Sequence, residues 1–228
     1  VSVSEEKRVA GVRAASLVED GMTVGLGTGS TVAHLLDALA ERAAREGLRF
    51  RGVCTSTATE RRAAELGLET IPLSADAPID LYIDGADEVD PHGHLVKGGG
   101  GALLREKLVA DWSRRRVIIV DSAKQVSHLG DAFAVPIEVV RFGWTTVREK
   151  LADAGCIPVL REREGTPYLT DEGHFILDCR FPGGIVDPMA MAGTLKQVVG
   201  VVETGLFIGY CHALIIGRGS DTELLTFH

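Results

Sequence analysis

A strand, a glycine turn and a helix follow one another directly near the start of this chain, and that succession restricts the fold more than any other feature. "MTVGLG" (22–27) reads as a strand. "TGSTVAHLLDALAERAA" follows it, with Val32, Leu35, Leu36, Leu39 and Ala43 at i, i+3, i+4, i+7 and i+11, the spacing of one buried helix face. The rhythm repeats through "FRGVC" as strand, "TATERRAAELGL" as helix, "ETIPL" and "IDLYID" as strands, "ALLREKLVADW" as helix and "RVIIV" as strand. Such alternation requires crossover connections and predicts a mainly parallel sheet covered on both faces, an α/β domain of Rossmann-like type. Ahead of it, a capping box from Ser2 to Glu5 predicts a helix running to about Glu19 and ending near Gly21.

Beyond Gly130 the order changes. "VPIEVV" reads as strand, "WTTVREKLADA" as helix, "IPVLRE" and "FILDC" as a strand pair joined across Asp171, Glu172 and Gly173, "DPMAMAGTLKQV" as helix and "GVVETGLF" as strand. This β-α-β-β-α-β order is the split βαβ, ferredoxin-like plan of a smaller α+β domain. The expected division is a Rossmann-like catalytic domain of residues 1–129 plus 207–228 and a smaller domain of residues 130–206, with "ALIIG" (213–217) returning to the first sheet.

Charge and composition exclude some partners. The 24 basic and 32 acidic residues leave a net charge of -8, gathered into no long block, which argues against nucleic acid or an anionic membrane as partner. The longest apolar run, Leu206 to Gly217, is broken by His212 and is shorter than the ~20 residues of a membrane span. No signal-peptide pattern precedes the first helix, so a cytoplasmic protein is expected. Cys54, Cys156, Cys179 and Cys211 show no C-x-x-C spacing and are expected to be reduced thiols packed as small hydrophobes.

Two segments carry chemistry. "GLGTGST", Gly25 to Thr31, lies between strand and helix, where free backbone N–H groups and the helix dipole favour an anion and Ser30 and Thr31 add hydroxyls. The dinucleotide pattern G-x-G-x-x-G fails, because Ser30 stands three places after Gly27, and a P-loop lysine is absent. A small phosphorylated ligand fits the turn better than either. The second segment begins at Asp84, at the carboxyl end of the "IDLYID" strand, where open α/β sheets bind ligands.

Asp87, Glu88 and Asp90 continue that segment as an acidic loop, and Lys97 precedes the glycines Gly98 to Gly101, whose backbone can approach a ligand closely. In the next helix Glu106 lies about 200° from Leu104 and so points off the expected apolar side. Its nearness to the glycine run makes it a candidate base. Carboxylates, a lysine and an anion-binding turn at one sheet edge suit proton abstraction beside a carbonyl, with a cation or neutral acid steadying the oxygen that becomes negative. The rival, a metal-assisted hydride shift, needs ligands, and of seven histidines only His92 and His94 lie close in sequence. No G-x-S-x-G elbow supports a serine hydrolase.

Taken together, "GLGTGST", "DGADEVD" and "KGGGGALLREK", with "DSAKQV" and "ILD", closely resemble the type A ribose-5-phosphate isomerases, over essentially the whole chain. The resemblance implies metal-free and cofactor-free interconversion of ribose 5-phosphate and ribulose 5-phosphate in the pentose phosphate pathway. It implies Glu106 as the base that moves a proton between C1 and C2 through a cis-enediol, and Asp84 as the group assisting ring opening. Asp87 and Lys97 match positions that hold and polarise the sugar oxygens, and Gly98 and Gly99 match substrate-side backbone. Thr28, Gly29, Ser30 and Thr31 match the phosphate loop, with charge from Lys124 and Lys7, and the family implies a homodimer or homotetramer. "CTSTATE" and the tail "GRGSDTELLTFH" depart from the commoner family pattern. A sugar-phosphate sensor module, or an amino-sugar phosphate deaminase or lactonase of the same broad fold, is the alternative, although the chain offers no helix-turn-helix extension or basic stripe.

Overall fold

The computed structural model of the chain describes residues 2–227. In order, α1 (Val3–Ala15), β1 (Thr23–Leu26), α2 (Ser30–Glu46), β2 (Arg51–Cys54), α3 (Thr57–Glu65) and β3 (Ile79–Asp84) carry the repeated strand and helix rhythm. The short strands β4 (Glu88–Val89) and β5 (Leu95–Val96) precede α4 (Leu103–Asp111) and β6 (Ser113–Asp121). Next come β7 (Val135–Val139), α5 (Trp144–Asp153), β8 (Ile157–Leu160), the ladder of β9 (Glu162–Arg163) and β10 (Thr166–Pro167), β11 (Phe175–Arg180), α6 (Pro188–Lys196) and β12 (Val201–Thr204). The last strands are β13 (Leu206–Phe207), β14 (Ala213–Arg218) and β15 (Asp221–Thr226). These elements fall into two compact units.

The first unit comprises Val1–Ala86, Arg105–Lys124 and Tyr210–His228. Its sheet has the order β15-β14-β6-β3-β1-β2, with every pair parallel except β14 and β15. From β1 the chain moves to β2 on one side and then to β3 on the other. The carboxyl ends of β1 and β3 therefore flank the topological switch point, the place where open α/β sheets form a ligand crevice. Leu26, Leu35, Leu39, Ile83 and Ile119 are fully buried in the core beneath it.

Helix α1 is capped as expected, with Ser2 Oγ accepting the Glu5 N–H at 3.3 Å. It ends at Ala15 rather than near Glu19. Arg42 of α2 donates to the carbonyls of Ala15 and Val18 at 2.6 and 2.8 Å, so the chain leaves the helical path without orphaning them. Gly11 lets α1 and α2 meet, because a Cβ there would lie 2.8 Å from the Leu35 nitrogen.

The "ALIIG" run does return to the first sheet, as β14 beside β6 from Ala213 opposite Val117 to Gly217 opposite Asp121. The hairpin to β15 was not expected. It turns through Gly219 at φ 65°, a conformation glycine adopts without steric cost. "ETIPL" makes only a single bridge, Thr70 to Gly52, with the Ile71 N–H donating to the Gly52 carbonyl and the Gly52 N–H to the Glu69 carbonyl.

The second unit comprises Asp87–Leu104 and Gln125–Gly209. Its four-stranded antiparallel sheet has the order β12-β7-β11-β8, the split βαβ arrangement. Val135, Ile137 and Val139 of β7 pack with Leu177 and Cys179 of β11, Val147 and Leu151 of α5 and Leu195 of α6. A second sheet, β13-β5-β4, takes β4 and β5 from the acidic stretch expected to be loop and β13 from the end of the expected "GVVETGLF" strand.

All four cysteines are free, and Cys156, Cys179 and Cys211 are buried. Burial, reinforced by the Glu60 carboxylate, pushes the Cys54 thiol up to about 12. No helix among the described residues is long and apolar enough to cross a membrane.

Candidate active site

Asp84 is the last residue of β3 and is completely buried. Its Oδ1 accepts the N–H groups of Thr28 at 3.0 Å and Gly85 at 2.7 Å, and its Oδ2 accepts the Tyr82 hydroxyl. A Cβ at residue 27 would sit 2.0 Å from the Asp84 carboxyl, so Gly27 is what lets the turn after β1 close over this side chain. Tyr82 stands two residues before Asp84 and so on the same face of the strand. Its phenol is held well above its ordinary value, chiefly by burial and then by the negative charge of Asp84 and of Glu106. Tyr82 thus stays a neutral donor between two carboxylates.

Glu106 is only 3% exposed, which corrects the expectation that it points off the apolar side of α4. The buried stripe of that helix runs through Leu103, Glu106, Val109 and Ala110, spacing i, i+3, i+6 and i+7, while Leu108 faces solvent. Leu104 is half-buried and lies off the stripe, about 100° past Leu103. The same unit therefore holds Asp84 and Glu106 around a common tyrosine.

The anion-ready turn belongs to this unit too. Gly29 caps α2 at φ 116° with no side-chain bond to the first helical N–H groups. Gly29 and Ser30 are exposed, Thr28 is half-buried and Thr31 is buried. Thr28 Oγ1 lies 2.8 Å from both Thr55 Oγ1 and Ser56 Oγ, and Thr59 Oγ1 donates to the Gly27 carbonyl at 2.8 Å. These hydroxyls come from the "CTSTATE" segment after β2, the neighbouring strand. The turn is braced by side chains, not merely permitted by glycine.

Lys7 reaches the turn, its Nζ donating to Ser30 Oγ at 3.0 Å, with Asp121 at 4.0 Å behind it. The preceding residue fixes this placement, because Glu6 accepts the N–H groups of Ser122 and Gly219, both at 3.0 Å. Those bonds hold the Glu6 carboxyl below its usual range. Lys124 closes a single 3-10 turn, Ser122–Lys124, just after β6 and is half-buried.

In the second unit the acidic run separates into distinct roles. Asp87 accepts the Gly99 N–H at 2.8 Å. Glu88, 1% exposed, accepts three backbone N–H groups, from Gly130 at 2.6 Å, Ala132 at 2.9 Å and Phe133 at 2.6 Å. Asp90 accepts those of His92 and His94, both at 2.9 Å, and closes the turn between β4 and β5. Lys97 is buried with its Nζ 5.5 Å from the centre of the Phe207 ring. Gly98 (φ 102°) and Gly101 (φ 88°) take conformations that L side chains rarely adopt. Among the described residues, no group of three or more His, Cys, Asp or Glu side chains is arranged to hold a metal ion.

The family model for ribose 5-phosphate isomerase A (phosphoriboisomerase A) matches residues 51–221. The chain belongs to this family. It is 50% identical to ribose-5-phosphate isomerase A of Synechococcus sp. (strain JA-3-3Ab) over 98% of each chain, and 47% identical to that of Bacillus mycoides over 92% of this chain and 95% of the relative. Among solved structures, ribose 5-phosphate isomerase from Plasmodium falciparum superposes with a TM-score of 0.93 at 35% identity, covering 96% of this chain and 97% of the other. A D-ribose-5-phosphate isomerase in complex with phospho-erythronic acid gives a TM-score of 0.95, also at 35% identity, covering 99% and 100%.

For a type A isomerase, the structure adds residues that the sequence reading passed over. Tyr82, Thr55, Ser56 and Thr59 all contact the Asp84 side chain or the anion turn. Tyr82 could have been found by strand alternation from Asp84, and Thr55 and Ser56 by their place at the carboxyl end of β2.

Proposed function

We propose that this chain interconverts D-ribose 5-phosphate and D-ribulose 5-phosphate, the pentose phosphate pathway reaction, by proton transfer through a cis-enediol. The observation that carries the reading is the grouping of two buried carboxylates, Asp84 and Glu106, about Tyr82 in the unit that also holds the turn Thr28 to Thr31. Glu106 takes the C2 proton as the C1 carbonyl becomes an enediol. It returns that proton to C1 as the C2 oxygen becomes the new carbonyl. Asp84 moves protons at the sugar oxygens, in ring opening and again as O1 gains a proton to give the enediol and O2 gives one up to become the carbonyl. Its orientation is set by the Thr28 and Gly85 N–H groups and the Tyr82 hydroxyl.

The phosphate binds to the α2 N-terminus at Thr28, Gly29, Ser30 and Thr31, where N–H groups and the helix dipole favour negative charge. Lys7, already on Ser30, and Lys124 supply positive charge. Asp87 and Lys97 hold and polarise the sugar oxygens, with Gly98 and Gly99 as substrate-side backbone. These last roles rest on the motif match to the family. The same likeness supports a homodimer or homotetramer working in the cytoplasm without metal or organic cofactor.

The direct test is purified protein, treated with a chelator, given ribose 5-phosphate and separately an amino-sugar phosphate. Ribulose 5-phosphate forms and the amino sugar keeps its nitrogen. Turnover of the amino-sugar phosphate alone, or a requirement for added metal, contradicts the reading.

A further inference from the structure

We propose that Arg161, oriented by Asp178, is a positioning residue for this isomerisation, fixing the backbone of the glycine run after Lys97; the proposal rests on the isomerase reading above. A run of four glycines has no side chains with which to hold its shape, and Gly98 and Gly101 sit in left-handed backbone conformations. Chain entropy therefore works against any single geometry of a segment that must present its backbone to a sugar.

The second unit answers from two sides. On the N–H side, Asp87 Oδ2 accepts from Gly99 at 2.8 Å. On the carbonyl side, Arg161 Nη1 donates to Gly98 at 2.9 Å and to Gly99 at 3.2 Å. The rest of the guanidinium is occupied by Asp178, with Nε on Oδ2 at 2.9 Å and Nη2 on Oδ1. Asp178 lies on β11, inside the four-stranded sheet, so the fork is tied to a regular element. Tyr168 sits beside it, its hydroxyl 3.4 Å from the Gly100 carbonyl.

The pairing has a chemical logic. A planar guanidinium engages both carboxylate oxygens and still directs a further N–H at a carbonyl, whereas a lysine ammonium has no fixed fork. The backbone N–H of Arg161 is separately paired with the Ile176 carbonyl at 2.9 Å, and the guanidinium also lies over the Tyr168 ring, Cζ 5.9 Å from its centre, beside the Gly100 carbonyl that the Tyr168 hydroxyl approaches. The side chain serves the glycine run.

The test compares the full-length wild type with Arg161→Met, Arg161→Lys and Asp178→Asn. It uses steady-state kinetics on ribose 5-phosphate, thermal unfolding, and hydrogen exchange at the Gly99 and Gly101 amides. Losing the charged donor raises KM about tenfold in Arg161→Met with kcat within about threefold, Arg161→Lys falling between, as expected for one charge-assisted bond. Exchange at Gly99 and Gly101 accelerates by a similar factor while that of β7 is unchanged.

A merely structural arginine would lower the melting temperature and leave KM within about twofold at temperatures where the protein is folded. That result, or unchanged exchange at the two glycines, overturns the proposal. If Arg161→Met does not fold, Asp178→Asn, which keeps the arginine and loosens its anchor, gives the same readings. Wild-type protein without isomerase activity would sink the functional reading, and the exchange measurement would still decide whether Arg161 holds the run.

Discussion

Replacing Glu106 by Gln lowers kcat on ribose 5-phosphate by about a thousandfold, near the middle of the range attributed to a positioned general base, while KM changes by less than about threefold. The substitution keeps volume and polarity in a position that is 3% exposed, so the packing around it survives and the loss falls on proton transfer. An amide cannot accept the C2 proton. Steady-state kinetics of the purified variant, with its thermal midpoint as control, checks this. Activity within about tenfold of wild type would remove Glu106 from the role of base.

The second large effect is on stability. Glu88→Ala removes the acceptor of three backbone N–H groups, from Gly130, Ala132 and Phe133, in a position closed to water. Each stranded donor costs about 1–3 kcal/mol, so the second unit loses about 3 kcal/mol or more, measured by denaturant unfolding. Glu88→Gln keeps one carbonyl oxygen as acceptor and loses less. A change below about 0.5 kcal/mol in the alanine variant would show that the segment after Leu129 is held by other contacts.

That division of labour explains what was legible in the sequence and what was not. The strand, glycine and helix of Thr23 to Glu46 announce themselves locally, because the 3.6-residue period of Val32, Leu35, Leu36 and Leu39 and the capping glycine are all adjacent in the chain. Asp84 was legible for the same reason, standing at the end of an apolar strand. Glu88 was not, since an acidic residue in an acidic turn looks solvated until the segment around Gly130 is seen to fold over it.

Glu106 shows a different failure. Its motif identifies it, but a nine-residue helix gives too short a period to locate its buried face, and taking Leu104 as the reference rotated the reading by most of a half turn. Arg161 is the hardest case, because the Gly98 carbonyl it grips is 63 residues away in sequence. Long-range polar contacts of that kind leave no periodic trace.

The most direct test of the account follows an isotope rather than a rate. Ribose 5-phosphate deuterated at C2 is turned over in ordinary water, and the label is read by nuclear magnetic resonance in the ribulose 5-phosphate formed. If a carboxylate carries the proton between carbons, deuterium on Glu106 exchanges with solvent and part of it is lost to water, a loss that disappears along with turnover in Glu106→Gln. Complete retention of deuterium at C1 of the product, together with turnover that persists in Glu106→Gln, would mean a hydride moved directly between the carbons, and would contradict the mechanism.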